Sequence, residues 1–143
     1  MGRVINPDST GKQRNQLMRT SAEMLRALTQ KTELDDEAKD MAATIVFCLR
    51  EIDEGIEASA QAWEKRDYWN KAEELRQRWS WPGKVGDELA ALILSDNWQN
   101  LPPMLVKMLP YFTEIKITKL TRKSDEWQGA YMRLMHERPP TTK

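Results

Sequence analysis

The amino-acid sequence predicts an all-α fold, and three of its features support that prediction. Apolar residues recur every three or four positions through most of the 143-residue chain, which is the period of a helix that buries one face. The connections between these stretches are short, as they are between neighbouring helices of a bundle. The one alternating stretch, residues 114–118, has no second strand to pair with and is interpreted as an extended connector. We therefore expect five or six helices packed around one long central helix.

The central helix is predicted at about residues 36–66. Its apolar stripe consists of Met41, Ile45, Leu49, Ile52, Ile56, Ala60 and Trp63. Thr32 and Asp35 match the spacing of a capping box before this helix. Asp35 and Asp36 would also favour its N-terminal end, because the helix dipole is positive there. The short connection before it makes this helix and the preceding one antiparallel neighbours.

Beyond residue 63 the apolar positions change face. The set from Tyr68 to Trp79 lies about half a turn around the helix axis from the earlier stripe. A single straight helix would expose half of its apolar residues, so a break is predicted at residues 65–67. Asp67 is expected to be the N-cap of the second helix. Trp69 is expected to be mostly buried in the corner between the two helices.

The helix before the central one is predicted from its own apolar face. That face carries Leu17, Met18, Ser21, Met24, Leu25 and Leu28. Lys12, Arg19 and Arg26 recur every seven residues on the outer face, with Glu23 between them. Because such spacings place side chains on one side of a helix, these charged groups are expected to face water.

Three shorter helices are expected after the tryptophan-rich stretch. Pro82-Gly83 is interpreted as a turn. Apolar faces then follow at residues 85–93 and 101–109, and Ser124 is expected to cap a last helix. These assignments complete the predicted bundle.

The chain is expected to form one helical domain, at residues 12–138. Residues 1–11 are interpreted as an extended N-terminal arm and residues 139–143 as a loose tail. No stretch approaches the 18 or so uncharged apolar residues that a membrane span needs, so no membrane partner is expected. The single cysteine, Cys48, lies on the apolar stripe and is expected to be a buried thiol. A cytoplasmic location is therefore predicted.

Paired acidic residues are the strongest candidates for chemistry. Glu51 and Glu54 are spaced by three residues, as are Glu64 and Asp67, and this spacing places both carboxylates on one helix face. All-helical nucleoside triphosphate pyrophosphohydrolases hold Mg²⁺ with such pairs, since carboxylates suit a hard cation. Here the pairs lie on the flank of the apolar stripe, so a solvated acidic face is the favoured interpretation. No catalytic residue, metal or cofactor is expected.

Basic and aromatic residues provide the candidate partner-binding surface. The first 31 residues carry six basic side chains against two acidic ones, whereas residues 32–80 carry seven against thirteen. Tryptophans between positions 63 and 81 are interleaved with lysines and arginines, a pattern that can stack bases or dock a protein. The candidate residues are Arg3, Lys12, Arg14, Arg19, Arg26, Trp63 and Trp69. Core packing is the alternative role for the tryptophans. The isoelectric point of 6.6 argues against a dedicated nucleic-acid binder.

Two stretches of the sequence carry a resemblance to known proteins. They are Gly2-Arg3-Val4-Ile5-Asn6-Pro7-Asp8-Ser9 followed by Gly11-Lys12, and Ala62-Trp63-Glu64-Lys65-Arg66 followed by Tyr68-Trp69. In these stretches the chain resembles an uncharacterised family of small helical bacterial proteins, and the similarity covers most of its length. The resemblance implies no activity, ligand or functional residue.

The expected function is that of a non-enzymatic cytoplasmic binding or scaffold module, whose partner is another protein or a second copy of the chain. Nucleic-acid association through the basic arm and the first helix is the second hypothesis. A metal-dependent all-α nucleotide pyrophosphohydrolase that uses Glu51, Glu54, Glu64 and Asp67 is the third.

Overall fold

The computed structural model describes residues 7–137, and it describes side chains from Gly11 onward. Across these residues the regular secondary structure is helical with no strand, so the prediction of an all-α fold is confirmed. The helices are α1 (Pro7–Thr29), α2 (Asp36–Lys65), α3 (Trp69–Arg78), α4 (Trp81–Leu94), α5 (Leu101–Met108) and α6 (Ala130–His136). Short 3-10 turns occupy Trp98–Asn100, Leu109–Phe112 and Ser124–Glu126. None of the helices described here is long and apolar enough to cross a membrane.

The facing sides of α1 and α2 supply many of the fully buried apolar side chains. They include Met24, Leu25, Ile45, Leu49 and Ile52. Burial of each such side chain contributes about 1.5–3 kcal/mol relative to its exposure. The start of α2 is fixed by Asp35, whose carboxylate accepts a hydrogen bond from the N–H of Ala38 at 2.8 Å. Asp35 is therefore the N-cap, and the capping box predicted from Thr32 does not form.

The bundle is not built around one central helix, and the prediction is corrected in this respect. α2 is the longest helix, and it packs against α1, α3, α4 and α6. α5 packs instead against α1 and α4. Its buried face consists of Leu101, Met104, Leu105 and Met108. The core therefore extends across α1, α2, α4 and α5.

The predicted break between α2 and α3 is confirmed, but Asp67 has a different role in it. Asp67 adopts the left-handed conformation, with a φ of 66°. The N–H of Tyr68 donates to the carbonyl of Trp63, and the N–H of Asp67 donates to the carbonyl of Glu64, both at 2.9 Å. These bonds form a Schellman motif, which satisfies the last carbonyls of α2. Asp67 therefore ends α2 instead of capping α3, at a position where aspartate is tolerated and glycine is preferred.

α4 begins earlier than the sequence suggested. Pro82 and Gly83, which were interpreted as a turn, lie in its first helical turn, where the missing N–H of proline costs no hydrogen bond. One turn later Gly86 lies against α2, and a Cβ at this position would be 3.2 Å from the Cβ of Leu49. The small residue therefore allows α4 to approach α2 closely.

The second half of the predicted extended arm is helical. α1 begins at Pro7, so residues 7–11 belong to that helix. Residues 1–6 lie outside the described part of the chain, as does the predicted tail at residues 139–143. Proline is favoured in a first helical turn, and an acidic residue such as Asp8 is favoured near the positive end of the dipole. The same residues are also typical of turns, which explains the error.

The carboxylate of Glu23 holds the segment after α5 against α1 through hydrogen bonds. Glu23 is only 1% exposed, so the prediction that it faces water on the outer side of α1 is wrong. It accepts hydrogen bonds from the N–H of Thr121 at 2.6 Å, the N–H of Arg122 at 3.0 Å and Arg19 Nε at 2.7 Å. The Thr121 hydroxyl donates to it as well. Burial alone would raise its pKa, but these donors lower the pKa to about 2, so the carboxylate is charged at neutral pH.

Asp40 of α2 holds the last helix in a similar way. Its carboxylate oxygens accept the N–H of Gly129 at 3.1 Å and the N–H of Tyr131 at 2.9 Å. These bonds satisfy donors at the N-terminal end of α6. Ser124, the predicted cap, begins a separate 3-10 turn instead. The cap of α6 therefore comes from another helix.

Candidate functional site

The basic residues that were predicted to bind a partner do not form one free patch. Arg3 lies outside the described residues. Lys12 is exposed on α1, and Arg26 is half-buried in the last turn of that helix. Arg19 is bonded to the buried carboxylate of α1 described above. Arg14 is stacked on a tryptophan ring.

The four carboxylates of the alternative metal site are not brought together. Glu51 and Glu54 are exposed on α2. Glu64 is bonded to Arg76 of α3, and Asp67 forms the turn after α2. Between residues 11 and 137, where side chains are described, no three histidine, cysteine or acidic side chains are placed to share a metal ion. The hydrolase hypothesis therefore lacks a geometric basis in this part of the chain.

The aromatic corner between α2 and α3 is exposed, and the prediction that Trp69 is buried is wrong. Trp69 is 60% exposed and Tyr68 is 48% exposed. The rings of Trp63 and Tyr68 meet edge to face at 5.5 Å, and Lys71 Nζ lies over both of them. The side chain that α3 buries against α2 is Ala72. The change of apolar face after residue 63 therefore predicted where α2 ends, but it did not predict that α3 buries Ala72 instead of Trp69.

A second group of aromatic side chains is stacked where α3 meets α4. The ring centroids of Trp79 and Trp81 are 6.1 Å apart, and those of Trp81 and Tyr111 are 4.3 Å apart at an interplanar angle of 10°. Phe112, which is buried, meets Trp81 edge on at 5.6 Å. Such pairs contribute about 0.5–1.5 kcal/mol each beyond the area they bury. We call the stacked rings of Trp79, Trp81 and Tyr111 the aromatic wall.

The aromatic wall faces α1 across an open groove of about 580 Å³. α1 contributes Asn15, Gln16 and Arg19 to the lining, and residues 110–115 contribute the remaining side. A second groove of about 450 Å³ shares Thr113 and Ile115 with the first. The two grooves therefore lie next to each other along one surface.

Several hydrogen-bond donors in the groove have no acceptor within the described part of the chain. Trp79 and Trp81 line the groove, and their indole N–H groups donate no hydrogen bond to another described residue. The side-chain oxygen of Gln16 accepts a bond from Arg122 at 2.8 Å, which leaves its NH₂ group available. Arg19 uses only its Nε on Glu23. The groove is therefore suited to a ligand rich in oxygen acceptors.

Two arginines lie beside the wall at the α3 end. The guanidinium carbon of Arg14 is 5.1 Å from the ring centroid of Trp79. Arg78 precedes that tryptophan and is exposed. Burial lowers the pKa of Arg14, and the nearby charge of Arg78 lowers it further. The two cations are thus close enough to repel each other.

Several residues of this site could not be predicted from the sequence. Asn15 and Gln16 look like ordinary solvent-facing residues of a helix. Tyr111 offered a weak signal, because the Pro110-Tyr111-Phe112 triplet places two aromatic side chains just after an apolar helix. Nothing in the local pattern indicates that Tyr111 reaches Trp81, which is distant in sequence.

The comparisons with known proteins give no independent assignment. No protein-family model, curated protein or solved structure matches this chain. A functional assignment therefore depends on the chemistry of the groove, which combines aromatic faces with hydrogen-bond donors, and on the two arginines beside its aromatic wall.

Proposed function

We propose that the protein is a non-enzymatic cytoplasmic binding module, and that its groove holds an extended segment of a partner protein. The observation that carries the proposal is the pairing of the aromatic wall with donors that have no acceptor in the described chain. Tryptophan and tyrosine supply a large share of the binding energy at protein interfaces. Donors beside them can bond the carbonyl oxygens of an extended backbone. The buried thiol of Cys48 supports the cytoplasmic location, since thiols stay reduced there.

The aromatic wall is suited to this role because its rings already have fixed neighbours. Trp81 packs between Trp79 and Tyr111 and against Phe112. Ordering a flexible side chain at an interface costs about 0.5–1.5 kcal/mol, and stacked rings avoid most of that loss. Tyr111 is 41% exposed, so part of its surface remains available to a partner.

The shape of the surface favours a chain over a compact small molecule. The volume of the groove falls in the usual range for small ligands. The second groove continues beyond Thr113 and Ile115, and its lining includes apolar residues of α1. An extended segment could therefore use both grooves, whereas a small molecule would use only one.

Single-stranded nucleic acid is a second candidate, and a different surface favours it. Trp69 is exposed at the start of α3, and Arg66 and Lys71 lie over the ring of Trp63 at the same corner. Bases stack on exposed aromatic rings while cations contact phosphates. The basic residues of α1 add little support, because Arg19 is bonded to a carboxylate and Arg14 is stacked on a ring.

Selection from a library of random short peptides displayed on phage tests the proposal. The selected peptides are assayed on the wild type, on Tyr111→Ala and on Tyr68→Ala, which removes a tyrosine of similar exposure outside the groove. We expect Tyr111→Ala to bind at least about tenfold more weakly, equivalent to about 1.4 kcal/mol, and Tyr68→Ala to bind as the wild type does. Melting curves establish that both variants are folded.

Two outcomes would contradict the proposal. One is a library that yields no binder, and the other is a set of peptides that bind all three proteins equally. Binding of oligothymidylate that is lost in Trp69→Ala and retained in Tyr111→Ala would favour the nucleic-acid candidate instead.

A further inference from the structure

Arg14 and Arg78 lie beside Trp79, at the α3 end of the aromatic wall. Arg14 projects from α1, and its guanidinium group rests on the ring of Trp79. Arg78 lies in the last turn of α3, immediately before that ring. Both cations therefore lie next to the aromatic wall, at its Trp79 end, although neither side chain lines the groove itself.

No carboxylate of the described chain forms an ion pair with either arginine. Glu51 lines a small crevice together with Arg14, and Glu74 lies one turn before Arg78. Glu114 lines the groove itself. All three acidic groups lie beyond ion-pair distance of the two guanidinium groups. Because Arg14 is partly buried next to a like charge, a nearby anion would relieve both the repulsion and the loss of hydration.

We infer that the partner segment is acidic, and that one of its carboxylates lies between Arg14 and Arg78 while its apolar side chains lie against Trp81 and Tyr111. This rests on the proposed function, because it names the chemistry of the occupant of the same groove. A guanidinium group donates two parallel hydrogen bonds to a carboxylate. Stacking on Trp79 already restricts Arg14, so little further freedom is lost when it binds.

A neutral proline-rich segment is the main competing occupant. It would use the aromatic wall and the indole donors, as proline-rich peptides do in other aromatic grooves, but it would gain nothing from the arginine pair. The two occupants therefore differ in their dependence on Arg78, which is exposed and can be replaced without disturbing the core.

The charge of the selected peptides is the first test. We expect peptides selected on the wild type to be enriched in aspartate and glutamate, and peptides selected on Arg78→Glu to lose that enrichment. Arg66→Glu makes the same charge change before the start of α3, beside Trp63, and serves as the control. It is expected to select the same acidic peptides as the wild type.

The affinity of one fluorescein-labelled acidic peptide from the wild-type selection is the second test. Arg78→Ala is expected to weaken binding about five- to tenfold, the effect of losing one charge-assisted contact that is partly open to water. Arg78→Lys is expected to restore most of the affinity. The affinity should also fall as salt rises, because screening weakens exposed charge pairs.

The outcomes separate this inference from the proposed function. Peptides that depend on Tyr111 but show no acidic enrichment, or that bind Arg78→Ala with unchanged affinity, would overturn the inference and leave the binding module standing. A tighter fit for a phosphoserine peptide that lacks aspartate and glutamate would overturn the carboxylate assignment. A selection without any Tyr111-dependent peptide would overturn both.

Discussion

Individual carboxylates position much of this chain, and two of them act over long sequence distances. Glu23 bonds Thr121 and Arg122, and Asp40 bonds the first turn of α6. Glu23 lies opposite the face that α1 presents to α2. It is buried because residues 121 and 122 cover it. Helical periodicity places a side chain on a face of its own helix, but it contains no information about what later covers that face.

Replacement of Glu23 by glutamine is expected to destabilise the fold by about 2–4 kcal/mol at neutral pH, because it removes the buried charge and puts a donating NH₂ group where one oxygen accepted hydrogen bonds. The native pKa of about 2 lies below the ordinary value of 4.5. The contribution of the carboxylate is therefore fully present above about pH 4.5 and is lost as the pH falls towards 2.

Urea unfolding of the wild type and Glu23→Gln across this pH range measures the effect. The difference in unfolding free energy should shrink as the pH falls. Glu33→Gln, at an exposed position, is the control and should show almost no difference. A penalty for Glu23→Gln that does not change between pH 4.5 and pH 2 would show that the charge contributes nothing.

At the scale of helices, periodicity predicted most of the elements but fewer of their ends. The bounds of α2 and the break after it followed from the apolar spacing. The starts of α1 and α4 did not, because Pro7 and Pro82 are compatible with both a turn and a first helical turn. The error at Trp69 has a related origin, since α3 buries Ala72 and leaves its first residue open to solvent.

Alanine substitutions at two helical glycines test these assignments with opposite expected signs. A Cβ at Gly11 would meet only Arg14 Nη2, at 3.9 Å, so Gly11→Ala should stabilise α1 by about 0.5–1 kcal/mol. A Cβ at Gly86 would be 3.2 Å from the Leu49 Cβ, so Gly86→Ala should destabilise by about 1–2 kcal/mol through overpacking. Denaturant unfolding measures both changes.

A different outcome would contradict the prediction for each of the two variants. No gain from Gly11→Ala would indicate that residue 11 is not helical, as the original arm prediction supposed. A gain from Gly86→Ala would indicate that α4 does not pack closely on α2 at this position.

At the scale of the whole molecule, the candidate site is assembled from three separate parts of the chain. α1 supplies the polar side, the junction of α3 and α4 supplies two tryptophans, and residues 110–115 supply Tyr111. The sequence showed that tryptophans and basic residues were abundant and named Arg14 among the candidates. It could not show which aromatic side chains would stack, because that depends on how distant helices pack. The separation of the four carboxylates of the alternative metal site also depends on contacts between residues distant in sequence. Glu64, for example, is bonded to Arg76 of α3.

The indole N–H signals of the six tryptophans give the most direct measurement of binding in the groove. They are followed by NMR while a peptide from the display selection is added to the folded protein. We predict that the signals of Trp79 and Trp81 shift as the peptide binds, whereas those of Trp69 at the corner and the buried Trp98 stay in place. Shifts confined to Trp63 and Trp69 would put the peptide at the corner and contradict the assignment of the groove.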